Sequence, residues 1–139
     1  MGTYDKWFAK NPIVPGKFGD RFVYFAREHV GEKNYSVLWN CITQPFLMVN
    51  DPHTHEFDQF LHFFNADSLN IAGFPAEVEF TLGEDEADLE THLITEPTVI
   101  HVPAGVLHGP LEFKKVDGPV VFMNVAFTPQ YMKPGELPQ

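Results

Sequence analysis

The feature that most constrains the fold is the even spacing of short apolar runs along the chain. The runs are rich in phenylalanine and β-branched residues, and stretches dense in Gly, Pro, Asn and Asp separate them. Runs of this length and punctuation are typical of β-strands, and the pattern contains no long amphipathic helix. Nine strands are therefore predicted, at 21–26, 35–42, 46–50, 59–64, 76–82, 89–94, 98–102, 111–116 and 120–127.

Strands at this spacing predict one all-β domain over residues 1–139, either a β-sandwich or a small barrel. We assign the barrel core to about 35–127, an N-terminal arm to 1–20 and a C-terminal tail to 128–139. The two ends are set apart because they are rich in proline and lack a regular strand pattern. Such arms often cover a barrel or a neighbouring subunit.

Charge and cysteine content exclude several classes of function. The chain has 19 acidic and 9 basic residues and a formal charge of −10, so nucleic acid and anionic membranes are not expected as partners. No apolar stretch approaches the roughly 20 residues that would span a bilayer. Cys41 is the single cysteine, and the first ten residues do not resemble a secretory leader. These features predict a cytoplasmic protein.

Two histidine-containing stretches carry the chemistry of the sequence. In "PHTHEFDQF", His53 and His55 are two positions apart, and a strand would present both imidazoles to one point. Gln59 follows four residues later, where its side-chain oxygen could reach the same point. The later stretch "VPAGVLHGP" places His108 after a predicted turn, at the start of a strand. Neutral imidazoles are common ligands of transition metals, so these four residues are the candidate metal ligands.

The two stretches together resemble the signature motifs of the cupins, a family of small β-barrels. The family's first motif is similar to His-x-His followed after three or four residues by Glu, and its second is Pro-x-Gly-x-x-His. The second motif is complete here, and the first has glutamine in place of glutamate. The matching residues are His53, His55, Gln59, Pro103, Gly105 and His108. The resemblance implies a cupin-type double-stranded β-helix, a jelly-roll barrel, with N- and C-terminal arms.

The chain departs from the family pattern at a few further positions, Leu47, Pro97 and Glu112, none of which is a histidine of the motifs. The departure at Gln59 has a chemical meaning, because an amide adds no negative charge to a bound cation. A divalent ion held by three histidines and this glutamine would keep its full charge and attract anionic oxygen ligands. The substrate predicted on this basis is a small anionic or enolisable, oxygen-rich molecule.

The resemblance therefore implies a metal-dependent cupin enzyme with a divalent ion such as Fe, Zn, Ni or Mn. A dioxygenase is the first expectation, because cupins similar to this one include oxygenases. The alternatives are a redox-neutral isomerase, decarboxylase or lyase, and a small-molecule-binding cupin without catalytic activity. By analogy with cupins that pair through their outer sheets, a homodimer is expected.

Two acidic residues of the predicted strand 76–82 are candidates for catalysis. Glu77 and Glu79 alternate with Val78 and Phe80, so both carboxylates lie on one face of the strand. If that face lined the barrel interior, either acid could act as a general base or an additional ligand. The alternative is that Val78 and Phe80 fill the core and both acids contact solvent.

Overall fold

A computed structural model describes residues 2–131 of the chain. It contains one five-residue α-helix, Ala26–Val30 (α1), and two single-turn 3-10 helices, Asp5–Trp7 and Glu86–Asp88. Most of the remaining elements are strands. They are β1 (Ile13–Gly16), β2 (Gly19–Phe25), β3 (Ser36–Ile42), β4 (Phe46–Val49), β5 (Gln59–Asn65), β6 (Ala76–Gly83), β7 (Glu90–Ile94), β8 (Thr98–Val102), β9 (Leu107–Val116) and β10 (Val120–Ala126).

The strands form two antiparallel sheets packed as a jelly-roll β-sandwich. One sheet has six strands in the order β1-β2-β3-β10-β5-β8, and the other has four in the order β4-β9-β6-β7. Each of the nine predicted strands is present, and the predicted all-β class is confirmed. The prediction for β9 was too short, because this strand begins at Leu107 and not at residue 111.

The predicted N-terminal arm, 1–20, needs correction. It contains β1 and the first residues of β2, which pair as a hairpin at one edge of the six-stranded sheet. Pro15 and Gly16 occupy half of β1, and such residues are rare in strand interiors, so the composition concealed the strand. Of the predicted tail, 128–139, the structure describes only the part up to Tyr131; residues 132–139 lie outside the described residues.

The core lies between the two sheets and is dominated by aromatic side chains. Phe63 of the six-stranded sheet and Phe80 and Phe113 of the four-stranded sheet are almost completely buried. Burial of a phenylalanine side chain contributes about 1.5–3 kcal/mol, so these three residues are a major part of the attraction between the sheets. Aliphatic residues from both sheets surround them, including Ile42, Leu61, Val78, Ile94, Leu111 and Val120.

None of the helices within residues 2–131 has the length and hydrophobicity needed to cross a lipid bilayer.

Candidate metal centre

Three histidines from two separate segments converge at one end of the space between the sheets. One nitrogen of each of His53, His55 and His108 lies within 4.8 Å of the other two. His53 and His108 are joined by an isolated β-bridge, in which each backbone N–H donates to the other residue's carbonyl at 3.0 Å. The sequence pattern predicted a strand at His53 and His55, but the structure has no regular strand at these residues. They lie in an extended segment that still alternates in burial, since Thr54 and Glu56 are exposed.

The turn before β9 holds the segment in place. Gly105 has a φ of +84°, a conformation that glycine adopts without strain, and its N–H donates to the His55 carbonyl at 2.9 Å. The Val106 N–H donates to the Pro103 carbonyl at 3.2 Å and closes the turn. The turn predicted from the Pro-x-Gly-x-x-His motif thus positions His108 directly and His55 through a backbone hydrogen bond.

Asp58 makes a second connection between the two segments. Its carboxylate accepts hydrogen bonds from the Ala104 N–H at 2.9 Å and from Nε2 of His101 at 2.7 Å. The Ala104 N–H and then His101 hold the pKa of Asp58 below its ordinary value. The charged carboxylate therefore fixes the end of the His53–His55 segment to the turn that carries His108.

Hydrogen bonds to backbone carbonyls select the tautomer of two of the imidazoles. Nδ1 of His108 donates to the Val106 carbonyl at 3.0 Å, and Nδ1 of His53 donates to the Asp51 carbonyl at 3.3 Å. Because a carbonyl can only accept, the proton of each neutral ring is on Nδ1. The Nε2 lone pair of both rings is consequently available to a metal ion.

Burial keeps two of the histidines uncharged at neutral pH. The pKa of His55 is lowered to about 4, chiefly by burial and then by charge repulsion from the neighbouring His108 and His53. The pKa of His108 is also lowered, chiefly by burial, although its hydrogen bond to Val106 acts in the opposite direction. Since a histidine must be deprotonated to bind a metal, these environments favour coordination.

Gln59, the first residue of β5, lies beside His108 and is 1% exposed. Its Nε2 donates a hydrogen bond to Nε2 of His108 at 2.9 Å. Its Oε1 is buried and has no hydrogen-bond partner among residues 2–131. A buried carbonyl oxygen without a partner is costly, and a cation is one group that would satisfy it. A half-turn of the amide would direct this oxygen toward the histidine nitrogens, so the four residues fit a divalent ion.

The histidines line a cavity of about 490 Å³ between the two sheets. Its walls are partly apolar, through side chains such as Leu61, Phe80, Leu111 and Phe122. A cavity of this size suits a small organic ligand rather than a polymer.

Comparison with solved structures shows which proteins have a fold similar to that of this chain. An oxalate decarboxylase structure covers 88% of the chain with a TM-score of 0.60 at 12% identity. A mutant of Bacillus subtilis oxalate decarboxylase covers 89% with a TM-score of 0.58 at 13% identity. The capsular polysaccharide assembling protein CapF from Staphylococcus aureus covers 91% with a TM-score of 0.57 at 10% identity.

These neighbours are cupins, and their match extends over nearly all of the chain. The chain has the cupin fold. It spans about 29% of the length of each oxalate decarboxylase chain and 30% of CapF, so the similarity concerns one part of larger chains. No protein-family model and no curated protein sequence matches it.

Glu77 and Glu79 do not lie at the histidine site of the cupin barrel. Val78 and Phe80 are 0% and 1% exposed and point into the core, so the intervening acids lie on the outer face of β6. Oε2 of Glu77 is 3.8 Å from Nζ of Lys115 on the neighbouring strand. The predicted catalytic role of the two acids therefore has no geometric support, and the alternative that both contact solvent describes the structure.

Six polar residues of the cavity were not identified from the sequence: Arg21, Asn40, Asn50, Asp51, Asn124 and Tyr131. The available signal was a polar side chain within or beside an apolar run, as for Asn124 in "VVFMNVAF". Tyr131 belongs to the predicted tail, and its hydroxyl oxygen lies 3.5 Å from Nε2 of His55. Burial raises the pKa of this tyrosine, although its hydrogen bond with the Asn124 side chain acts in the opposite direction, so the hydroxyl stays protonated.

Proposed function

We propose that this cupin is a metal-dependent enzyme that acts on a small, anionic, oxygen-rich molecule. The observation that carries the proposal is the convergence of three imidazoles and one buried amide on the wall of a cavity. The ligands would be His53, His55 and His108, with Gln59 as the fourth. When bound, a divalent ion supplies Lewis-acid chemistry to an oxygen of the substrate.

The residues around the site determine which ligands the cavity favours. The histidines and Gln59 carry no negative charge, so they leave the charge of a bound cation available to an anionic oxygen. Apolar walls such as Phe80 and Leu111 lower the local dielectric and so strengthen electrostatic attraction inside the cavity. A carboxylate, enolate or keto acid fits this combination.

The reaction class that the comparisons support is redox-neutral. The structural neighbours include oxalate decarboxylase, so isomerisation, decarboxylation or elimination is favoured over the dioxygenase reaction expected from the sequence. Dioxygen chemistry is the alternative, and it requires a redox-active ion. Oxygen consumption by the iron-loaded protein in the presence of keto acids, diketones and hydroxy acids would favour the alternative.

The metal content of the purified protein tests the proposal. Elemental mass spectrometry of protein prepared without a histidine tag is expected to find about one divalent ion per chain, and none in His53→Ala. His62→Ala is the matched control, because the His62 ring contacts the Phe60 and Met123 carbonyls and is not part of the cluster. Absence of metal from the wild type after reconstitution, or equal content in His53→Ala, would refute the assignment. Unchanged ligand binding after metal removal would instead indicate a binding protein without metal-dependent catalysis.

A further inference from the structure

Polar side chains cross the inner face of the six-stranded sheet in a diagonal line that starts at the histidine site. The line consists of one residue from each of β5, β10, β3 and β2, which are consecutive neighbours in the sheet. Each of the four side chains is buried and lines the cavity. In order from the histidines they are Gln59, Asn124, Asn40 and Arg21.

The strand register produces the diagonal. Asn124 is opposite Leu61, which lies two residues beyond Gln59 on the same face of β5. Asn40 is opposite Phe122, two residues from Asn124 on β10. The polar position thus moves along the strands as it crosses the sheet, away from the histidines and toward Arg21.

The side chains of this line have hydrogen-bonding atoms that a polar ligand in the cavity could satisfy. A buried polar group is costly unless it forms hydrogen bonds. Oε1 of Gln59 and Oδ1 of Asn124 are buried and have no hydrogen-bond partner within the described part of the chain. Asn124 is 6% exposed and Asn40 is 8% exposed, so bulk water does not hydrate these side chains freely. Polar groups of a ligand in the cavity would supply the missing partners.

Arg21 lies at the far end of the line, where the β1–β2 hairpin holds it. Its Nη2 donates to the Pro15 carbonyl at 2.7 Å, and its side chain passes over Gly16. A Cβ atom at Gly16 would come within 2.4 Å of Nε of Arg21, so the glycine makes room for the arginine. The side chain is therefore held in place, and Arg21 is one of the residues that line the cavity.

The charges of the cavity differ between its two ends. Arg21 is the single lysine or arginine among the described residues of the lining, and Asp51 is the single carboxylate among them. Asp51 lies at the other end, next to His53. Arginine remains charged even when it is buried, and its planar fork binds carboxylates through two parallel hydrogen bonds. In a chain with a formal charge of −10, such a local cation favours an anionic ligand at this end.

We propose that Arg21 binds the carboxylate of a substrate whose other, oxygen-bearing end binds the metal ion. The proposal rests on the proposed function and adds the substrate class: an elongated carboxylic acid with oxygen donors at both ends. Three strand spacings across the sheet, about 14 Å, and an offset of four residues along the strands, about 13 Å, separate the backbones of Gln59 and Arg21, and the side chains at both ends shorten this gap. Asn124 and Asn40 would hydrogen-bond polar groups between the two ends. A ligand as short as oxalate would reach one end only.

Binding of a dicarboxylate series to the metal-loaded protein tests this proposal. Titration calorimetry with acetate, oxalate, succinate, glutarate and adipate is expected to show tighter binding of at least one longer dicarboxylate than of acetate or oxalate. In Arg21→Gln, that dicarboxylate is expected to bind about ten- to a hundredfold more weakly, with acetate affinity unchanged. Arg27→Gln is the matched control, because Arg27 is exposed and pairs with Glu32 on the surface.

A second variant covers the case in which Arg21→Gln does not fold. Gly16→Ala retains the arginine but displaces it, so the longer dicarboxylate should bind more weakly while oxalate binding is unchanged. The inference is overturned if no longer dicarboxylate binds better than oxalate, or if neither variant weakens its binding. Metal content is measured in the same samples. A wild type that binds no metal refutes the proposed function. If the wild type is metal-loaded and both variants bind the longer dicarboxylate as tightly as it does, only the role of Arg21 is refuted.

Discussion

At the scale of single residues, the defining feature of the site is the lone pair on Nε2 of His108. Gln59 donates a hydrogen bond to this nitrogen, and the same lone pair would bind a metal ion. The two interactions exclude each other, so metal binding requires the amide of Gln59 to reorient. Its buried oxygen, which has no hydrogen-bond partner among residues 2–131, then becomes available to the ion.

The affinity for the metal ion is expected to rise or fall according to the side chain that replaces Gln59. Gln59→Glu should raise the affinity, because a carboxylate is a stronger donor and adds a negative charge. Gln59→Ala should lower it by roughly 10- to 100-fold, since an oriented donor beside His108 is lost. Competition with a chromophoric chelator measures both effects. Wild-type affinity in both variants would show that Gln59 does not contact the ion.

At the scale of elements, the start of β9 joins the two histidine segments. Gly109 follows His108 and has a φ of +117°, which residues with a Cβ rarely adopt. A Cβ at this position would lie 2.7 Å from the Asp51 carbonyl oxygen. The same carbonyl accepts the Nδ1 hydrogen bond of His53, so the close approach at Gly109 and the orientation of His53 are connected.

Gly109→Ala is expected to lower the free energy of unfolding by about 1–3 kcal/mol and to weaken metal binding. Gly19→Ala is the matched control, since Gly19 has a similar φ of +111° but open space around its Cβ position. Urea unfolding measures both variants. The expectation fails if Gly109→Ala is no less stable than Gly19→Ala, or if it binds metal as the wild type does.

At the scale of the whole molecule, the buried histidines connect stability to pH. An unfolded chain protonates histidine near pH 6.5, whereas burial and the neighbouring histidines lower the pKa of His55 to about 4 in the fold. Between these values the unfolded state binds more protons, so the stability of the metal-free protein falls as pH decreases. His108, whose pKa is also lowered, acts in the same direction. The pKa of Asp58 is lowered from 3.8, so its contribution is lost only at more acidic pH.

The melting temperature of the metal-free protein is therefore expected to fall between about pH 6.5 and pH 4. The dependence should be weaker in His55→Gln, which has no imidazole to protonate. Differential scanning calorimetry at several pH values in this window measures both proteins. A melting temperature that is constant across this pH window in the wild type would contradict the lowered pKa values of the buried histidines.

The homodimer and the cytoplasmic location, which follow from analogy and from composition, stay predictions.

The sequence alone determined nine of the ten strands within residues 2–131 and the histidine cluster. Apolar runs with turn punctuation located nine strands, because local propensity and turn chemistry agree along most of the chain. The Pro-x-Gly-x-x-His motif correctly predicted the turn before His108. The turn forms because Gly105 occupies a backbone conformation that glycine adopts readily. The two-residue spacing of His53 and His55 correctly predicted that both rings lie on the same side of the chain, although the segment is not a regular strand.

Only the tertiary structure decided which face of each strand is inside and which distant residues share the cavity. Alternation showed that Glu77 and Glu79 lie together, but the packing of Val78 and Phe80 against the opposite sheet put both acids outside. Arg21 comes from a hairpin whose first strand was hidden by proline and glycine. Its place in the cavity depends on the pairing of β2 with β3 and of β3 with β10, and the second pairing joins segments distant in sequence, which local patterns do not specify.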